Sequence, residues 1–375
     1  MSEGDWQREW DPTIAAIGTD YGGDRVVIAV DEVERGAIRR YCEVLEFDCP
    51  LHHDDGSARS VGYRGIVAPV SGISQTWTRE AHWRPGMPTR YPVLDPDAEV
   101  LREEVRFDGP PEPPTSLTFV TDLTIEYLRP VYVGDRLSRR GHRLVSVLPK
   151  ETSIGRGAFL TYESEVRNQQ GELVARSRNG GYHYTPFAGS ERGAAPPATP
   201  GPAAGGASFP EAPAWARAPS IDWSQQRHFE DVSEGDRVPA VGFPLTIARL
   251  VMEAAVNLDF SRVHHNAAAA RRTGAPDMYA NNVFVQGWWE RVVREFIGLR
   301  GVIKRVGPLR MRIFNTVGET VTTSGVVRRC WREGDEGLVE LEMQSEISRG
   351  ISVGPGPVIV SLPLRGASGG SGPAA

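Results

Sequence analysis

The chain has 375 residues, 40% hydrophobic and 24% charged, with a formal net charge of −6. This is the composition of a soluble globular protein long enough for two domains. It holds no basic block of the nucleic-acid type, no apolar run of the roughly 18 residues a membrane span needs, and no apolar leader in its acidic N-terminus, MSEGDWQREWDP.

In chain order, a helix is expected around 32–45, then a loop, a second helix around 66–80, and a Pro-rich insertion over 84–114. Alternating, β-branched stretches predict strands at 117–128, 136–148, 157–168 and 172–184. Residues 187–219 are dominated by Pro, Ala and Gly and cannot bury enough apolar surface to fold alone. They read as a linker between a domain over 1–186 and a domain over 220–365. Residues 366–375 read as a disordered tail. In the second domain Ile247, Leu250, Val251, Ala254 and Leu258 recur at helical spacing over 246–258, with Thr246 placed to cap the start. NVFVQGWWERVVREFIG, 282–298, reads as a long apolar helix ended by Gly298, with Gly287 allowing close packing. Four strands are expected after it, in RMRIFNTV, ETVTTSGVVRRCW, GLVELEMQSEI and PVIVSLPL.

The two halves repeat. Residues 23–62 and 235–274 align without a gap at an offset of 212 and share 10 of 40 residues, including GDRV and the HH pair. PVYVGDRLSRRG, 130–141, resembles FNTVGETVTTSG, 314–325, at an offset of 184. Two blocks in the same order indicate a duplicated domain, each copy an α+β unit with helices followed by antiparallel strands.

The chemistry concentrates in NLDFSRVHHN, 257–266, where Asp259 precedes His264 by five residues past a helix end. A carboxylate and an imidazole over one water make an acid/base pair. An Asp and a His beside a helix end are also common as capping and surface groups, so both readings stand here. The first copy keeps His52 and His53 but has Phe47 in the place of Asp259, with Asp48 one residue out of register. Only the second copy carries the full pair. At the start of the following helix, Asn281 and Asn282 offer backbone N–H groups that could polarise a carbonyl, or Asn281 could simply cap. His265 is expected at the surface or just behind the reacting pair, and Trp288 and Trp289 in a core or interface. Cys42, Cys49 and Cys330 lack metal spacing, and their odd number suggests a reducing, cytoplasmic setting. No dinucleotide, P-loop or nucleophile-elbow motif is present, and no metal or cofactor is expected.

DFSRVH resembles the hydratase motif of MaoC-like (R)-specific enoyl-CoA hydratases, in which Asp and His are followed here at Asp259 and His264, with Ser261 for the motif Asn and Arg262 for the motif Pro. CPLHHDDGSARSVGYRGIVAP resembles the N-terminal half of two-domain MaoC-like and fatty-acid-synthase-type dehydratases, and EYLRPVYVGDRL resembles the same family's RPV…GD segment. The resemblance implies a double hotdog, each half a long central helix wrapped by an antiparallel sheet. It implies reversible hydration of a 2-enoyl thioester on coenzyme A or an acyl carrier protein, with Asp259 and His264 catalytic, the Asn282 N–H an oxyanion donor, and Asn281 and Ser261 beside the substrate. A degenerate first copy implies a long or bulky acyl group. A hotdog thioesterase and a non-catalytic acyl-binding subunit are the competing readings. Either a monomer or a homodimer of double-hotdog chains is compatible with the sequence.

Overall fold

The computed structural model describes residues 6–80, 82–94, 98, 107–152, 155–187 and 221–366. The expected linker, apart from Phe187, and the tail beyond Gly366 lie outside the described residues.

Ten antiparallel strands form one sheet. They are β1 (Val26–Ile28), β2 (Leu117–Tyr127), β3 (Ser138–Thr152), β4 (Gly155–Arg167), β5 (Leu173–Pro186), β6 (Arg237–Pro244), β7 (Val302–Arg310), β8 (Thr320–Glu333), β9 (Glu336–Ile347) and β10 (Gly350–Leu362). Their order is β1-β3-β4-β5-β2-β7-β10-β9-β8-β6. Read from each outer edge inward, the two halves have the same sequence of strands. They join at β2 and β7, where Asp122 is in register with Arg310 and Glu126 with Arg305. Joining removes one exposed edge from each half.

The helices are α1 (Asp11–Ala15), α2 (Arg35–Leu45), α3 (Asp55–Ser60), α4 (Ile247–Val256), α5 (Ala267–Arg272) and α6 (Asn282–Ile297). The duplication is visible in the backbone. α2 and α4 end in residues of positive φ, Glu46 at 51° and Leu258 at 53°. The next N–H then turns back, Phe47 to Cys42 O at 2.9 Å and Asp259 to Ala254 O at 2.8 Å. α3 and α5 are capped alike, with Asp54 accepting from Ser57 N and Asn266 from Ala269 N.

α6 is the central helix. Asn281 caps its start and Gly298, at φ 71°, ends it. Trp288 and Trp289 are fully buried, as the apolar pattern suggests, and Trp289 donates to Ser345 Oγ at 3.0 Å. Gly287 faces α2, where a Cβ would come within 2.8 Å of Leu45 and 3.3 Å of the Tyr41 hydroxyl. Arg249 on α4 donates to Val44 O at 2.9 Å, tying the two copies' short helices together.

Two expectations need correction. The first copy has no long helix over 66–80. It forms short 3-10 turns at Val70–Ser74 and Thr76–Thr78. Pro69 precedes the turn, and Trp77 folds back to donate to Pro69 O at 2.7 Å, its ring filling the space a side chain at residue 72 would need. The strand after α6 is β7, not 310–317; Gly307, Pro308 and three basic residues in VIKRVGPLR hide its alternation. β6 was also hidden, by Pro239 and Gly242. No helix among the described residues is long and apolar enough to cross a membrane.

Candidate active site

Asp259 and His264 are brought together. His264 Nε2 lies 3.5 Å from Asp259 Oδ2, and both side chains keep a small exposed fraction. The positive φ of Leu258 lets the chain reverse after α4, and the 3-10 turn Arg262–His264 returns the imidazole toward the carboxylate. His264 Nδ1 is 2.8 Å from Tyr279 O. A carbonyl only accepts, so Nδ1 carries a proton, and in the neutral ring Nε2 is the lone pair. The Tyr279 carbonyl thus fixes which nitrogen faces Asp259. The Tyr279 ring meets the imidazole edge-on at 5.3 Å.

The same carbonyl links the dyad to α6. Asn282 is three residues beyond Tyr279, is exposed, and opens the helix, where the first N–H groups have no intrahelical acceptor. Asn281 is buried, and its Oδ1 accepts from Phe284 N at 2.9 Å, so it acts as the cap. Its Nδ2 has no partner among the described residues. Ser261 meets Asp259 through its backbone, its N–H donating to Oδ1 at 3.4 Å. His265 is exposed, as expected.

A buried network beneath the site was not legible in the sequence. Glu253 on α4 accepts from Asn281 N at 3.1 Å and from Asn257 Nδ2 at 3.3 Å. Burial pushes its carboxyl well above the usual range, and the charge of Asp259 adds to the effect. Asn257 in turn takes Thr76 Oγ1 on its Oδ1 at 2.7 Å and Gln75 Nε2 on its carbonyl at 3.2 Å. The first copy therefore braces the second copy's site. The available signal was Glu253 itself, three residues from Leu250 on a predicted apolar helix face.

The first copy's equivalent site is built differently. His52 Nδ1 donates to Val67 O at 2.7 Å, matching His264 and Tyr279, but Phe47 stands edge-on to the imidazole with ring centroids 4.8 Å apart. Asp48 is exposed and accepts from Trp223 Nε1, so it does not stand in for the acid. Val70 and Ser71 occupy the positions equivalent to Asn282 and Val283. Their N–H groups donate to the buried Glu290 carboxylate of α6, each at 2.7 Å, and the Ser71 hydroxyl donates to it as well. The donors that the second copy leaves free are occupied here. Gln286 and Ser74, also equivalent positions, meet each other at 3.2 Å.

Residues 15–177 match the family model described as FAS1-like, dehydratase domain region. A solved structure of a MaoC-like dehydratase aligns over 93% of this chain and 99% of its own, at TM-score 0.61 and 18% identity. This chain has the double hotdog fold of MaoC-like dehydratases. In sequence it is 30% identical over 149 residues to a probable enoyl-CoA hydratase alpha subunit of Thermomonospora curvata, covering 40% of this chain and 44% of that one. It is 27% identical over 141 residues to the 3-oxo-4,17-pregnadiene-20-carboxyl-CoA hydratase alpha subunit of Mycobacterium tuberculosis, covering 37% and 41%. The chain thus spans less than half the length of the curated relatives it matches.

Proposed function

We propose that this double hotdog is a hydro-lyase that adds water reversibly to a 2-enoyl thioester of coenzyme A, with the chemistry in the second half. The observation that carries the reading is the Asp259–His264 pair, 3.5 Å apart, with His264 Nδ1 tied to Tyr279 O. A separation slightly beyond a direct hydrogen bond suits two groups that share one water. The FAS1-like dehydratase match and the hydratase names of the two relatives support the reaction class.

In the hydration direction, the thioester carbonyl accepts from the Asn282 N–H at the start of α6, where a helix end favours developing enolate charge. Asp259 and His264 Nε2 hold the water. One of them takes a proton as the water oxygen bonds to carbon 3, and the electron pair of the double bond moves toward the carbonyl. Carbon 2 then receives a proton from the dyad, so the elements of one water molecule are added in total. The proton given to carbon 2 replaces the one taken from the water, so the dyad ends the cycle as it began.

The finer reading is an (R)-3-hydroxyacyl product and a long or bulky acyl group. The first half's short turns in place of a second long helix support the size preference. The pregnadiene-carboxyl group in one relative's name points the same way. Chiral analysis of the 3-hydroxy product from crotonyl-CoA and from a cyclic enoyl-CoA tests both. Only (R) product, with a higher kcat/KM for the cyclic substrate, is expected. Release of free thiol in place of hydration would convert the reading to a thioesterase.

A further inference from the structure

A cavity of about 590 Å³ lies away from the Asp259–His264 pair, against the first half's His52 and the α6 residue Arg294. Its apolar wall includes Leu51, Val61, Val67 and Leu362. Two buried polar side chains on its lining are left with open valences. His52 is 3% exposed; its Nδ1 is taken by Val67 O, and its Nε2 has no partner among the described residues. Burial lowers the imidazole's pKa to about 3, so Nε2 is an acceptor at neutral pH. Arg294 is 4% exposed; its Nη1 donates to Gly298 O and Gly301 O, and its Nε–H has no partner among the described residues. A buried polar group without a partner is destabilising, and a ligand that pairs it recovers that loss. An oxygen function on a bound molecule could serve either group, donating to His52 Nε2 or accepting from Arg294 Nε.

The rim is cationic. Arg59, Arg129, Arg300 and Lys304 line it beside Asp335 and Glu336. Lys304 is neutralised by Glu336 at 2.6 Å and Arg129 faces Glu172 at 3.7 Å. Arg300 is exposed and has no acidic partner among the described residues, and Arg59 has only Asp55 at 4.0 Å. A ligand that fits is therefore an apolar chain, with an oxygen function inside and an anionic head at Arg59 and Arg300.

We propose that this cavity is a second, non-catalytic site for an anionic amphipath of the hydroxyacyl class. It lacks the means of hydration, because Phe47 replaces the acid and Glu290 occupies the Val70 and Ser71 N–H groups. That the head is the phosphates of coenzyme A rests on the hydratase reading; the amphipath chemistry does not.

The test is calorimetric titration of the full chain carrying Asp259→Asn, which prevents turnover, with (R)-3-hydroxyoctanoyl-CoA, free 3-hydroxyoctanoate and CoA alone. Two equivalents of the CoA ester per chain are expected. Adding Arg59→Glu with Arg300→Glu should weaken one equivalent by about tenfold or more. Val61→Trp, which fills the cavity from a half-buried wall position, should abolish it. A second equivalent of the free acid but not of the ester supports the site with a carboxylate head. One equivalent only, or two that neither change affects, overturns the proposal and leaves the cavity to water. Hydration by the unsubstituted chain is assayed in parallel. One equivalent with hydration intact sinks the second site alone; no binding and no hydration sinks both readings.

Discussion

Phe47 stands edge-on to His52 at 4.8 Å, in the position that Asp259 takes beside His264 in the other half. The backbone that presents them is the same in both copies, down to the positive φ at Glu46 and Leu258. One scaffold therefore carries a carboxylate beside an imidazole in one half and a phenyl ring beside an imidazole in the other. Phe47→Asp should not create a second active site. It places a carboxylate at a position 2% exposed and next to no donor chain, so a loss of about 3 kcal/mol or more is expected. Urea denaturation checks the stability, and an unchanged or lower hydration rate per chain is the accompanying result.

His52 gives a pH signature. Its folded pKa of about 3 is below the ordinary 6.5 of an accessible histidine. Between those values the unfolded chain binds a proton that the folded chain does not. Stability is therefore fully present above about pH 6.5 and falls as the pH drops toward 3, by about 1.4 kcal/mol per pH unit from this one group. Glu253 and Glu290, whose carboxyls are raised by burial, act in the opposite direction. The His52 part is isolated by comparing wild type with His52→Gln in urea at several pH values between 4.5 and 7.5. The wild type should lose stability faster on acidification; parallel curves would contradict this.

Glu253 tests the bracing network. Burial raises the Glu253 carboxyl's pKa, which favours the neutral form, so the neutral isostere Glu253→Gln should cost less stability than Glu253→Ala. Glu253→Ala strips the Asn281 N–H of its acceptor at the start of α6 and should cost about 1–3 kcal/mol. A thermal melt of both variants distinguishes them, and a large loss in the Gln variant would show that the ionised form is the one the fold uses.

Gly287→Ala sets helix propensity against packing. In an open helix the change gains close to 1 kcal/mol. Here the added Cβ would stand 2.8 Å from Leu45, so a net loss of about 1–3 kcal/mol is expected. Pairing it with Leu45→Ala should give less destabilisation than the two separate losses added together.

Much of this molecule was legible in local patterns. Thr246 caps α4, accepting from Arg249 N at 3.1 Å, and α6 runs over nearly the span its apolar residues suggest. The dyad could be named because both residues fall in one loop. What stayed hidden was set by tertiary contact. The segment over 66–80 has residues a helix can use, but Trp77 and Glu290 stabilise tight turns that no window of sequence contains. Thr76 and Gln75 reach Asn257 across about 180 residues of chain, and the large cavity is lined by residues of both halves. Those relations follow from how the duplicated halves meet.

In the proposed reaction the second half hydrates an enoyl thioester through Asp259 and His264. The most direct measurement follows the ultraviolet absorbance of the enoyl-thioester conjugation with crotonyl-, octenoyl- and a cyclic enoyl-CoA, for wild type, Asp259→Asn and His264→Gln. Loss of the band with wild type, no free thiol, and a fall of about 10²-fold or more in each variant with its melting temperature little changed are expected. Equal rates in wild type and Asp259→Asn would contradict the proposed reaction.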